Sequence, residues 1–248
     1  EKEFKIENKV KGAMVYPIVL AVVATAVVVF LMVAVMPTFV GMFESSGVEL
    51  PGPTKALLAI SHSIRNKWYV YIIGIGAFIF AIKFYGSTET GGMFFDTMKL
   101  RVPIFKNVNI KLATSRFTRT LSTLLSSGIP LIQGIDIVAR LVGNRFISNK
   151  LDNAKEEVRK GVPLSRSIKD AGVFPPMVDS MIKIGEESGD LDGILNKSAD
   201  FYDEEVEVAL QKMTEMMQPL MVVIMALIVG FIVIAIALPM FDMVNTIQ

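Results

Sequence analysis

Two long stretches without a charged side chain constrain this chain most. Residues 13–36 and residues 219–241 contain no Asp, Glu, Lys or Arg. Each stretch has about 23 or 24 residues, and a helix of that length, rising about 1.5 Å per residue, crosses a hydrocarbon core of about 30 Å. A cleaved signal peptide has an apolar core of only about 7–15 residues. Both stretches are therefore predicted to be membrane helices.

A third apolar segment lies between them and is shorter. Residues 68–82 are uncharged, and Phe84 and Tyr85 extend the segment past Lys83, whose ammonium group can reach the headgroups on its flexible stem. Trp68 and Tyr85 stand at its two ends, where amphipathic rings favour the membrane–water interface. Residues 68–85 are predicted to be a second span.

The distribution of Lys and Arg predicts the orientation. Four lysines precede the first span, the loop at 37–67 holds three basic residues, and the tail after Phe241 holds none. Because cytoplasmic segments carry the excess of basic residues, the amino end is predicted to lie inside and the carboxyl end outside. Arg65 and Lys67, directly outside the second span, run against this rule, but the count over all three spans outweighs them.

The polar remainder of the chain is predicted to be a helical domain. The chain is 52% hydrophobic and 20% charged, an average over apolar spans and one polar segment, residues 86–213. Apolar residues there recur at helical spacing, glycines and prolines separate the helices, and no stretch alternates with period two. We expect an all-α membrane protein, with three transmembrane helices and a cytoplasmic bundle of about six helices.

The last predicted helix connects this bundle to the third span. No helix breaker lies between Leu191 and Pro219, so one helix is predicted to run from the bundle into the membrane. Pro219 lacks an N–H and clashes with the preceding turn, so it is predicted to kink the helix near the membrane surface. The predicted boundaries are 1–12 for the end of a first domain, 13–36, 68–85 and 214–241 for the spans, 37–67 for an external loop, 86–213 for the bundle and 242–248 for an external tail.

An internal repeat indicates a duplicated unit. Placing Pro17 on Pro219 also places Pro37 on Pro239 and Phe39 on Phe241. By that register, residues 1–12 would be the end of a helix whose cytoplasmic domain precedes this chain. The alternative is a chance alignment of two apolar spans.

Several motifs resemble one family. They are Ala13-Met14-Val15-Tyr16-Pro17, Phe117-Thr118-Arg119-Thr120-Leu121, Leu124 to Leu131, Phe174-Pro175-Pro176, Gly185-Glu186-Glu187-Ser188-Gly189 and Asp203-Glu204-Glu205. In this order, and along almost the whole chain, they resemble the type II secretion and type IV pilus inner-membrane platform proteins, the PilC/GspF family.

The resemblance implies an architecture and a role. It implies two helical cytoplasmic domains alternating with three spans, of which the second domain is complete here. It also implies a non-enzymatic scaffold that couples a cytoplasmic assembly ATPase to insertion of pilin or pseudopilin subunits, beside other inner-membrane assembly proteins. A bacterial inner-membrane location and a homo-oligomer are expected.

The residue inventory agrees with a protein without catalysis. Cys is absent and His62 is the single histidine, which removes thiolate chemistry and the usual zinc ligand sets. Gly86 and Gly91 have the spacing of a phosphate loop, but no lysine follows. No cofactor or metal is therefore expected. The net charge of +1 gives no basic field for nucleic acid.

Charged residues in the bundle are candidates for partner binding. Acidic residues crowd residues 186–207, whereas residues 99–169 are basic. We interpret the acidic group as a docking surface for the ATPase or a neighbouring subunit, with a solvated helix face as the alternative. Arg116 and Arg119 could contact anionic headgroups or the ATPase. The candidate partner-binding residues are Arg116, Arg119, Glu186, Glu187, Asp203, Glu204 and Glu205.

Glycines and prolines are candidates for turns or hinges. Gly128 and Pro130 are predicted to separate two helices, and Gly185 and Gly189 either form a turn or make a close-packed hinge. Pro219 joins this group as the predicted kink.

Two other functional classes stay open from sequence. A small helical transporter or channel subunit is the alternative, although the uncharged spans lack the ionisable groups typical of ion pathways. A membrane enzyme comes third, because no catalytic group can be identified.

Overall fold

A computed structural model of the chain describes residues 2–45 and 51–246. Residues 46–50 of the predicted external loop, residue 1 and residues 247–248 of the predicted tail lie outside the described residues. Within the described ranges every regular element is a helix and none is a strand. The prediction of an all-helical fold is confirmed.

In the part of the chain that the structure describes, three helices are long and apolar enough to cross a membrane, by length and composition. They contain the candidate spans Met14–Phe39, Gly52–Ser87 and Leu191–Leu238, so the prediction of three membrane helices is confirmed. The elements that contain them are α1 (Lys2–Phe30), a π-helical turn (Leu31–Val35), α2 (Met36–Ser45), α3 (Gly52–Ser87) and, at the end of the chain, α10 (Leu191–Thr246). The predicted kink at Pro219, inside α10, stays a prediction.

Helix α3 starts well before the predicted second span. Its residues 52–66 are helical although the sequence placed them in a loop, and the backbone leaves helical geometry at Lys67, with φ −126° and ψ 28°. The predicted start of the span at Trp68 therefore coincides with a break in α3.

Six further helices lie between α3 and α10. Thr88 caps the first, its hydroxyl accepting the Gly91 N–H at 3.1 Å, and Asn144 caps the fourth by accepting the Ile147 N–H at 3.1 Å. Such caps satisfy N–H groups that have no partner inside the helix. The six are α4 (Glu89–Arg101), α5 (Pro103–Ser126), α6 (Leu131–Leu141), α7 (Arg145–Arg159), α8 (Leu164–Ala171) and α9 (Pro176–Ser188).

Glycine conformation defines two of the turns. Gly128, after α5, has φ +81°, and Gly189, between α9 and α10, has φ +73°. Both values lie in the left-handed region, where a side chain costs energy. Pro130 directly precedes α6, with φ −57°.

The chain divides into two compact units. One comprises the first turns of α1 with Phe84–Thr214, and the other comprises Met14–Lys83 with the chain from Glu215 onward. Each of the helices from α5 through α10 contributes to the apolar core of the first unit. Its buried side chains include Phe117, Leu121, Ile135, Leu151, Ile168, Ile182, Leu195 and Tyr202.

The second unit has a smaller apolar cluster of its own. Its buried members are Met32, Met36, Leu57, Ile232 and Ala235. They come from the π-helical turn, α2, the early part of α3 and the late part of α10, so these four segments pack together within this unit.

A tight elbow joins the end of α3 to α4. Gly91 lies so close to Tyr85 that a Cβ there would overlap the Tyr85 carbonyl oxygen. The rings of Tyr85 and Phe95 meet edge to face with centroids 6.1 Å apart. Only glycine fits at position 91.

Candidate functional site

Helices α5 and α10 are joined by a row of polar contacts, which we call the polar seam. On α5 it comprises Lys111, Ser115, Arg119 and Ser122, which share one face because residues three or four positions apart are neighbours on a helix. On α10 it comprises Asp192, Asn196, Asp200, Asp203 and Glu205. Chain order runs in opposite directions on the two sides of the seam, from Lys111 with Glu205 to Ser122 with Asp192.

Arg119 is the centre of the seam. Its guanidinium donates to Asp200 at 2.6 Å, to Asp203 at 2.7 Å and to Asn196 at 2.6 Å. The Ser115 hydroxyl donates to the other oxygen of Asp203 at 2.5 Å. The side chains of Arg119 and Asp203 are only 18% and 17% exposed, whereas Asp200 is 52% exposed. Asp203 is therefore the more sheltered partner of the guanidinium.

The charge on Arg119 is stabilised by its partners. Burial alone would lower its pKa, but hydrogen bonds and charge from Asp200 and Asp203 outweigh burial, so the pKa is raised from its usual value. Arg119 stays cationic at every physiological pH. The centre of the seam therefore keeps its positive charge.

Polar contacts also join α5 and α10 at the two ends of the seam. Lys111 pairs with Glu205 at 2.5 Å, and the Ser122 hydroxyl donates to the Asp192 carbonyl at 2.8 Å. Beneath the seam Tyr202 is buried, and burial, followed by the charges of Glu205 and Asp179, raises its pKa to about 12. The seam thus borders the apolar core along the part of α5 from Lys111 to Ser122.

Glu186, on α9, holds the start of α8. Its carboxylate accepts the N–H groups of Leu164 at 2.5 Å and Ser165 at 3.2 Å, and the Ser165 hydroxyl at 2.5 Å. A carboxylate is favourable at a helix amino end, where N–H groups lack partners and the helix dipole is positive. Glu186 therefore connects α9 to α8 inside the bundle.

The two predicted hinge glycines near this point differ. Gly185 is buried inside α9, and a Cβ there would lie 3.0 Å from the Leu191 Cα. Gly189 forms the turn after α9. Gly185 therefore permits the close approach of α9 to the start of α10, and Gly189 permits the change of direction.

Most of the predicted partner-binding residues make contacts inside the bundle. Arg119, Asp203 and Glu205 belong to the polar seam, and Glu186 caps α8. Arg116 is half-buried, and its guanidinium lies where a Cβ at Gly143 would be. Glu187 and Glu204 are exposed, and Glu187 lies 3.8 Å from Lys183. The docking hypothesis now rests on these two glutamates.

Sequence reasoning singled out Arg119 but missed the other α5 residues of the seam. Lys111, Ser115 and Ser122 were not singled out, because each is an ordinary helical residue alone. Their spacing with Arg119, one polar stripe along a helix otherwise lined by Phe117 and Leu121, is the pattern that could have identified them. Among the described residues, no group of three or more His, Cys, Asp or Glu is arranged to hold a metal ion.

Comparison with known proteins identifies the family to which this chain belongs. The family model for type II secretion system (T2SS) protein F matches residues 117–239, which include Arg119 and its α10 partners. The type IV pilus assembly protein PilC of Thermus thermophilus is 39% identical over 249 residues, across 100% of this chain. The chain belongs to the PilC/GspF family. Within the family, PilC of Pseudomonas aeruginosa and the type II secretion system protein F of Aeromonas hydrophila are each 35% identical over 250 residues.

The match covers all of this chain but only part of each PilC/GspF relative. The alignments span 61% of the Thermus protein, 66% of the Pseudomonas protein and 64% of the Aeromonas protein. The chain therefore spans about three-fifths of the length of these relatives. The names of the relatives denote pilus assembly and secretion components, not enzymes.

Proposed function

We propose that this chain is part of a platform protein of type IV pilus assembly or type II secretion in the bacterial inner membrane. Its helical bundle lies in the cytoplasm and binds a cytoplasmic assembly ATPase. The membrane helices guide pilin or pseudopilin subunits into a growing filament, beside other inner-membrane assembly proteins. The protein itself performs no catalysis.

The family relationship carries this proposal. The names of PilC and of type II secretion system protein F describe assembly and secretion, and the candidate spans make this a membrane protein. The basic residues before the first span favour a cytoplasmic bundle.

The polar seam suggests how force would pass along the chain. It fastens α5 to α10, and α10 is one helix from Leu191 to Thr246 that contains the third candidate span. A packed helix transmits displacement because close-packed interiors deform little. We propose that ATPase-driven movement of the bundle reaches the third span through α10, and that the seam keeps α10 attached to the bundle.

The exposed acidic residues are the proposed docking point for the ATPase. Glu187 and Glu204 are exposed, and exposed carboxylates attract a basic partner at long range, more strongly at low salt. The matched control is Asp170, an exposed carboxylate on α8. Like Glu187, which lies 3.8 Å from Lys183, it has one loosely paired basic neighbour, Arg166 at 3.9 Å.

The experiment is a double charge reversal in the full-length protein. We expect Glu187→Lys with Glu204→Lys to reduce co-purification of the assembly ATPase several-fold at low salt, with a smaller effect at high salt, whereas Asp170→Lys leaves capture unchanged. Normal capture and normal filaments in the double variant would contradict docking at these residues. Normal filaments and secretion in a strain lacking the protein would contradict the platform role itself.

A further inference from the structure

Two membrane helices contain a proline that removes a backbone donor near one end of a candidate span. Pro37 is the second residue of α2, which follows the π-helical turn, and Pro239 lies in α10. Each proline lacks an N–H, so one carbonyl in the preceding turn loses its helical partner. In an apolar environment such a carbonyl costs several kcal/mol unless another donor satisfies it.

The π-helical turn determines which carbonyl Pro37 leaves unpaired. The Met36 N–H donates to the Leu31 carbonyl, five residues earlier, and in the same register the donor for the Met32 carbonyl would be position 37. The Ser61 hydroxyl of α3 donates to that carbonyl at 2.6 Å, and Ser61 and Met32 are both buried. Ser61 therefore supplies the hydrogen bond that Pro37 cannot make.

The same arrangement recurs in the third span. In a regular α-helix the donor for the Ala235 carbonyl is the N–H four residues later, and that position is Pro239. The Thr54 hydroxyl donates to the Ala235 carbonyl at 2.6 Å, and both residues are buried. Thr54 supplies the hydrogen bond missing at Pro239.

Both hydroxyls reach across to another helix. A serine or threonine in a helix commonly donates to the carbonyl of its own preceding turn, as Thr25 does to Ala21 at 2.8 Å. Thr54 and Ser61 instead bond carbonyls in α10 and in the π-helical turn. They lie two helical turns apart, on one side of α3 with Leu57, which packs in the apolar cluster with Met36 and Ile232.

We propose that residues 52–66 of α3 form a two-point clamp on the proline-containing ends of the first and third spans. Ser61 and Thr54 are positioning residues, each paired with one proline, and together they set the spacing and bend of the two helix ends. The prolines that align in the internal repeat, Pro37 and Pro239, are the two that the clamp serves. This inference goes beyond the platform role and does not depend on it.

The first test compares single variants of the full-length protein in lipid nanodiscs. Ser61→Ala and Thr54→Val each leave a buried carbonyl without a donor, so each should lower the thermal unfolding midpoint by about 3–8 °C. Thr54→Ser keeps the hydroxyl and should retain most of the stability. The control, Thr25→Val, removes an exposed hydroxyl whose acceptor lies in its own helix, and should shift the midpoint by less than about 1 °C.

The second test is a crossed rescue. Pro37→Ala restores an N–H to the first span, so Ser61→Ala should cost little in that background, and Pro239→Ala should likewise rescue Thr54→Val. The exchanged combinations, Ser61→Ala with Pro239→Ala and Thr54→Val with Pro37→Ala, should show additive losses. If a single variant does not accumulate in the membrane, its matched double variant should.

Three results would overturn the clamp. They are additive losses in the matched pairs, equal rescue by either proline replacement, and single variants as stable as Thr25→Val. Each would mean that the hydroxyls do not replace the proline hydrogen bonds.

Discussion

Asp203→Ala is expected to destabilise the helical bundle by about 2 kcal/mol, because it leaves the sheltered Arg119 guanidinium with one carboxylate fewer and the Ser115 hydroxyl without its acceptor. For a domain of roughly 60–150 residues this corresponds to a fall of about 4–16 °C in the thermal unfolding midpoint. The measurement is thermal unfolding of the detergent-solubilised protein, followed by circular dichroism.

Asp200→Ala is the matched control for this prediction. Asp200 accepts from the same guanidinium nitrogen as Asp203 and at nearly the same distance, but it is 52% exposed. Exposed ion pairs contribute under about 1 kcal/mol, so this variant should lose far less stability. Equal losses for the two variants would show that shelter from solvent does not determine the strength of the seam.

Among substitutions that add one methyl group, Gly91→Ala is expected to destabilise the protein most. The new Cβ would overlap the Tyr85 carbonyl oxygen, which is backbone and cannot rotate away. The elbow between α3 and α4 would have to open, at a cost of about 3 kcal/mol. Thermal unfolding, together with limited proteolysis at residues 85–92, measures both the destabilisation and its location.

Gly86→Ala lies in the same elbow and serves as the control. Its Cβ would meet Phe95 at 3.5 Å, an ordinary van der Waals contact. We expect this variant to unfold within about 2 °C of the parent protein and to resist protease equally well. Parent-like stability of Gly91→Ala would contradict the close packing at the elbow.

The sequence predicted the spans and the helical class because the physics of each is local. Runs without a charged residue are enough to identify membrane helices, and the absence of a breaker after Leu191 predicted that one helix reaches the third span, as α10 does. The glycine turns at Gly128 and Gly189 follow from a conformation that other residues adopt only with strain. None of these inferences needs knowledge of which helices pack together.

The candidate site could not be predicted in the same way because it depends on pairing between distant helices. The acidic residues near position 200 were interpreted as a surface, since the α5 partners of Asp203 and Glu205 lie 84 and 94 residues earlier. The break in α3 at Lys67 could not be predicted because no proline or glycine lies next to it in the sequence. The bonds of Ser61 and Thr54 require the tertiary arrangement of α3 against two other helices.

The prediction of a docking surface changes accordingly. Acidic residues that are neighbours in sequence point in different directions around a helix, so Asp203 and Glu205 enter the seam while Glu204 faces solvent. A triple reversal at these positions would break the seam and alter the exposed surface together. The double reversal at Glu187 and Glu204 alters the exposed surface and leaves the seam contacts in place.

In the proposed mechanism, α5 and α10 must stay joined by the polar seam for filament assembly or secretion. The most direct test is a charge swap at Lys111 and Glu205, which pair at 2.5 Å, in a strain that produces the full-length protein from its own promoter. We expect Lys111→Glu and Glu205→Lys each to reduce filament assembly or secretion, and the double swap to restore it at normal protein level. Normal assembly in both single variants, or no recovery in the double variant, would contradict this mechanism.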